Sequence, residues 1–128
     1  NKKFPLEGGG KVKKSFLHCR DIANAIFTVI HKGKLGETYN AGTESPNSIR
    51  EIVEYVSQFL NIDFNSMVKI TKGRIGEDKQ YWLNSEKIKS LGWKQEISLE
   101  SGIQEMTQWV SKYAKELTAK ETDFTLRA

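Results

Sequence analysis

One cysteine, Cys19, in 128 residues excludes an internal disulfide. No apolar run approaches the roughly 18 residues of a membrane span, and no charged-then-apolar leader opens the chain; both absences read as a cytoplasmic protein without membrane partners. Histidine is nearly as scarce: His18, Cys19 and His31 lack metal-ligand spacing and read as an ordinary pair of histidines and a core thiol. No nucleophile, base and orienter stand together, so nucleophilic catalysis is not indicated. Internal repeats and low-complexity segments are absent, which excludes solenoids and linkers. Neither sign of charge dominates: 20 Lys and Arg against 16 Asp and Glu give +4, which suits an anionic ligand and falls short of a dedicated nucleic-acid binder. An initial methionine is also lacking, and "NKKFPLEGGGK" reads as the interior of a longer polypeptide.

What is present fits one domain able to bury a core, with 38% hydrophobic residues. Gly8-Gly9-Gly10 reads as a flexible break before a strand in "VKKSFLHC". Asp21 is the expected N-cap of a helix over 21–32, its stripe formed by Ile22, Ala25, Ile26, Val29 and Ile30 and its stop by Gly33. "GETYNAG" (36–42) follows as a short strand. Ser48 and Glu51 make a capping box for a second helix with Ile49, Ile52, Val53, Val56, Phe59 and Leu60 on its buried face. A strand is expected at 67–71 and a two-turn helix at 85–91, stopped by Gly92. Ser98 caps a final helix carrying Leu99, Ile103, Met106, Val110, Tyr113, Ala114 and Leu117. Trp93, Trp109, Met67 and Met106 read as packing residues. The alternation of strands and helices predicts an α/β protein with ligand sites in loops at strand ends.

Two loops carry the candidate chemistry. Arg74 lies between Gly73 and Gly76, where a turning backbone frees a guanidinium to grip a diphosphate in bidentate fashion, and Glu77 is placed to accept from sugar hydroxyls. The alternative is a solvated surface turn. "GGGKVKK" sets Lys11, Lys13 and Lys14 behind three glycines. It has neither Walker spacing nor a helix directly after it, so a phosphate cradle and a solvated basic loop both remain open. Single-strand nucleic-acid binding by the five lysines among residues 1–14 is a weaker reading, because aromatic interleaving is sparse.

In order, "GGGKVKKSFLHCRDIANAI", "GETYNAG", "SIREIVEYV" and "GRIGEDKQYWLNSEKIKSLGWKQEISLESGIQEMTQWV" resemble the C-terminal part of the NAD-dependent nucleotide-sugar epimerase/dehydratases, extended short-chain dehydrogenases, and within them the dTDP-glucose 4,6-dehydratases and their relatives. The resemblance covers about residues 5–115. It implies the C-terminal part of an extended Rossmann-type fold, with mixed short strands and helices forming the substrate-binding lobe. Residues 1–45 would pack on an N-terminal NAD-binding half, 46–118 would bind a nucleotide diphosphate sugar, and 119–128 would be a tail. By the same resemblance Arg74 meets the phosphates and Glu77 the ribose. Lys14 stands where an arginine is usual, and Ser48 at a polar position near the base. Ile75 replaces the usual proline.

The family's Gly-x-x-Gly-x-x-Gly loop and Tyr-x-x-x-Lys pair do not occur in these residues, so no catalytic residue, no NAD binding by this chain alone and no turnover are expected. A 4-epimerase fragment and a non-catalytic nucleotide-binding or protein-interaction module are the alternatives. A bare apolar face on the first segment predicts self-association, including a homo-oligomer.

Overall fold

Two strands far apart in sequence lie side by side in a computed structural model that describes residues 3–73, 75–76 and 78–119. β1 (Phe4–Glu7) pairs in parallel with β4 (Val68–Thr71), Phe4 opposite Val68 and Leu6 opposite Ile70. α2 (Ile49–Leu60) packs beneath them, and Leu6, Val53 and Val68 close a first core flanked by Ile49, Phe64 and Met67. Burying each such aliphatic side chain is favourable by roughly 1.5–3 kcal/mol. The capping box starts α2 as its sequence requires: Ser48 Oγ accepts from Glu51 N at 3.1 Å while Glu51 Oε2 accepts from Ser48 N at 2.6 Å. A single turn, α3 (Phe64–Met67), capped by Asp63, leads into β4.

The second core lies around α1 (Cys19–Lys32). Ala25, Ile88 and Trp93 are buried there, with Leu17, Val29, Tyr39 and Ala41 packed against them. Ile88 comes from α4 (Glu86–Lys89), and Gly92, at φ 94°, turns the chain so that Trp93 enters the core. α5 (Leu99–Lys112), capped by Ser98, packs on α2. α6 (Ala114–Thr118) follows after a break at Tyr113. Each core draws on residues from both sides of position 45.

Several sequence expectations change. His18, not Asp21, caps α1, its Nδ1 accepting from Arg20 N at 3.2 Å. Asp21 lies inside the first turn and is fully buried, because its carboxylate accepts from Glu96 N and Ile97 N, both at 3.1 Å. The expected strand over "VKKSFLHC" shrinks to β2 (Lys13–Lys14), and none forms over 36–42, since no ladder partner for those stretches exists among the described residues. Gly8–Gly10 is a tight 3-10 turn with all three φ values positive, and its seating explains its composition: a Cβ on Gly10 would stand 2.8 Å from Arg50 N.

Exposure corrects the packing assignments. Cys19 is exposed, and Met106 and Trp109 are 56% and 49% exposed, Trp109 resting against Tyr113 with ring centroids 5.2 Å apart. The helix expected at 85–91 is the single turn of α4, and the final helix is divided in two. β1 and α3 were not expected. The tail beyond residue 119 lies outside the described residues.

Candidate functional site

Because β1 and β4 run parallel, the loops that leave their C-terminal ends emerge on the same side, where open α/β sheets place their ligands. The glycine turn follows β1 and the 72–80 loop follows β4. Gly73 and Gly8 approach closely through their backbones: a Cβ on Gly73 would stand 3.3 Å from Gly8 Cα. β2 (Lys13–Lys14) follows the glycine turn along the chain. It pairs with β3 (Asn47–Ser48), Lys13 opposite Ser48 and Lys14 opposite Asn47, and Ile49 N donates to Val12 O at 3.1 Å. On the other side Lys13 N donates to Lys79 O at 3.1 Å and Tyr81 N to Lys13 O at 2.9 Å. The short ladder fixes the lysine-bearing backbone between the start of α2 and the end of the 72–80 loop.

Lys14 is exposed and lines a cleft of about 240 Å³ whose wall includes Leu6, Val12 and Ile49, with Glu7 and Gly10 also on its boundary. Among the described residues Lys11, Lys13 and Lys14 form no ion pair, and all three are exposed, although the Lys13 charge also acts on Glu51. Such a site presents cations beside an apolar slot, which suits an anion carrying a flat or apolar group.

Ser48 sits across the ladder from Lys13, but its hydroxyl is engaged at the helix cap, accepting from Glu51 N and donating to Glu51 Oε2 at 2.8 Å. The Ser48 backbone N–H and hydroxyl, with the Lys13 charge as a smaller contribution, hold the Glu51 carboxyl below the usual carboxylate range. The structure thus brings Lys14 and Ser48 onto neighbouring strands. Arg74 and Glu77 lie outside the described residues, although Gly73, which precedes Arg74, is at the junction. Sequence reasoning missed the cleft wall from β1. The available signal was an apolar Leu6 just before three glycines, too short a run to identify without its partner strand.

The sequence profile of the GDP-mannose 4,6 dehydratase family matches residues 1–106. The chain belongs to that family. Among its curated relatives, mouse dTDP-D-glucose 4,6-dehydratase is 33% identical over 117 residues, covering 88% of this chain and 33% of the relative. A trifunctional UDP-glucose 4,6-dehydratase/3,5-epimerase/reductase from Arabidopsis thaliana is 31% identical over 109 residues, covering 85% of this chain and 16% of that protein. The crystal structure of dTDP-glucose 4,6-dehydratase from Bacillus anthracis in complex with NAD superposes with a TM-score of 0.80 at 34% identity, covering 89% of this chain and 36% of that one. The fold is therefore the mixed α/β arrangement of Rossmann-type dehydratases, and this family member spans about a third or less of the length of these relatives.

Proposed function

We infer that these residues are the nucleotide-sugar-binding lobe of an NAD-dependent sugar-nucleotide 4,6-dehydratase, with the substrate diphosphate held by Lys14 and Arg74. One observation carries the reading: β2 is pinned where the loops after two parallel strands meet, so that Lys14 stands over an apolar cleft with its charge unneutralised by the described residues. A nucleoside diphosphate matches this layout, its base entering the cleft and its phosphates meeting the lysines. Arg74, one residue beyond the glycine contact, adds a forked donor that Lys14, a point charge, lacks. Glu77 serves the ribose hydroxyls, and Ser48, through the lone pair left by its cap, serves the base end.

The dinucleotide loop and the Tyr-x-x-x-Lys pair do not occur in this sequence, so its residues do not fit NAD and no chemical step is assigned to them. In this reading NAD would be held by a preceding half, against which residues 1–45 would pack, and would supply the hydride chemistry of the dehydration there. Residues of the present lobe bind and orient: affinity for the remote diphosphate holds the hexose at that half. The test is titration of UDP and dTDP into the chain and into its Lys14→Ala and Arg74→Ala variants. Each substitution is expected to weaken binding by roughly 1.5–3 kcal/mol, the range for hydrogen bonds to charged groups. Equal affinity in all three proteins would remove the assignment.

A further inference from the structure

Gly73 is a glycine that its own backbone does not demand. Gly8, Gly9, Gly10 and Gly76 have φ values of 56°, 72°, 69° and 79°, whereas the φ of Gly73 is not positive and is one that other residues adopt. What demands the glycine is its neighbour in space. A Cβ on Gly73 would stand 3.3 Å from Gly8 Cα and 3.6 Å from Gly8 N, so one side would have to shift by roughly a few tenths of an ångström. Seating decides which side yields. Gly9 and Gly10 are buried, and Gly10 is pressed against Arg50 N at the start of α2, so the glycine turn is fixed. Lys72, Ile75, Gly76 and residues 78–80 are exposed, so the loop after β4 is the part that moves.

Backbone contacts alone relate this loop to the lysines. The β1–β4 ladder ends with Glu7 opposite Thr71, and two residues later Gly73 meets Gly8. At its far end the loop returns to the same segment, where Lys79 O accepts from Lys13 N and Tyr81 N donates to Lys13 O. Both attachments of the stretch 74–78 therefore lie on residues 8–13, which run directly into Lys14. None of the described side chains from Lys72 to Gln80 is buried, and Ile75 is 99% exposed, so apolar packing does not set the position of the loop.

We propose that Gly73 is a positioning residue for nucleoside diphosphate binding: its bare backbone, seated on Gly8, sets the spacing between the loop after β4 and the Lys14 strand, and it acts through the next residue in the chain, Arg74. This rests on reading Lys14 and Arg74 as ligands of the diphosphate, and adds that the two are not independent. A forked guanidinium binds in a narrower range of orientations than an ammonium, so a shift at its root is felt at the phosphate. Misplacement by about 1 Å costs a preorganised site roughly 100-fold, and a displacement of a few tenths of that costs about five- to tenfold.

The test is a double-mutant cycle. UDP is titrated into the chain, Gly73→Ala, Arg74→Ala and the double variant, by NMR so that millimolar affinities are read. Gly73→Ala should weaken binding about five- to tenfold in the parent and by less than about twofold when Arg74 is already alanine. Its melting temperature should stay within about 3 °C of the parent, as a substitution in an exposed loop requires. An equal loss in both backgrounds overturns the proposal, because the glycine would then act on Lys14 or on the fold. Unchanged affinity in Gly73→Ala overturns it too, as does a larger fall in melting temperature. Each of these leaves the proposed function standing so long as Arg74→Ala itself weakens binding. An Arg74→Ala chain that binds UDP as tightly as the parent removes Arg74 from the site, and the role of Gly73 with it.

Discussion

Asp21→Ala gives the most direct test of how α1 is tied to the rest of the chain. Asp21 is the buried charged residue among those described, at 0% exposure, and both its oxygens are occupied by the Glu96 and Ile97 amides at 3.1 Å. Its main-chain carbonyl accepts from Trp93 Nε1 at 3.1 Å, so α1, Trp93 and the 96–97 segment meet at this residue. Truncation leaves two amides without an acceptor, and each loss costs about 1–3 kcal/mol. Both amides are only partly buried, which favours the lower half of that range through water access. A favourable helix N-terminal charge worth about 0.3–1 kcal/mol is lost as well. The expected destabilisation is therefore about 3–4 kcal/mol, a large share of the roughly 5–15 kcal/mol available to a domain. Asp21→Asn keeps one acceptor oxygen and turns an NH2 toward the other amide, so about half the loss should remain. Urea titration followed by tryptophan fluorescence measures both. A loss below about 1 kcal/mol for Asp21→Ala would refute the reasoning, since unsatisfied partly buried amides cost at least that much.

Gly10→Ala should destabilise by about 2–4 kcal/mol, because φ is 69° and the new Cβ meets Leu6 Cδ1 at 2.7 Å and Arg50 N at 2.8 Å; a thermal melt checks it. Ser98→Ala should cost about 1 kcal/mol through loss of the 3.1 Å bond from Ser101 N, read by urea midpoint. Hydrogen bonds from Ser48 depress the Glu51 carboxyl, and those from Lys87 and Lys89 depress Glu37 and Glu44. A depressed carboxylate contributes stability above its unfolded pKa and loses it as pH falls through the folded one. Urea midpoints should consequently hold at neutral pH and fall below about pH 4.5, and Glu51→Gln should flatten part of that fall.

The elements legible in the sequence were those specified by neighbours in the chain. Ser48 with Glu51, and Ser98 before Leu99, announce helix starts because a cap acts within one turn, and the stripes of α1 and α2 repeat at helical spacing. Elements that depend on distant partners were hidden. Phe4–Glu7 is a strand because Val68–Thr71 lies beside it. Asp21 looks like a cap until the 96–97 amides are seen to claim it, leaving the cap to His18. The candidate site divides in the same way. The lysines behind the glycines were evident, whereas the cleft wall supplied by β1 and the ladder that pins β2 arise only in three dimensions.

The parallel pairing of β1 with β4 also sets an order for synthesis. Phe4 is made long before Val68, its partner, and Trp93 later still completes the other core. At about 5–20 residues per second, β1 leaves the ribosome several seconds ahead of the strand it needs. During that interval α1 can coil by itself, yet the side carrying Ala25 and Val29 lacks Ile88 and Trp93 to pack against. Neither the Leu6, Val53 and Val68 core nor the Ala25, Ile88 and Trp93 core can close before its later members are made, so folding of the early elements waits on residues 68 and 93.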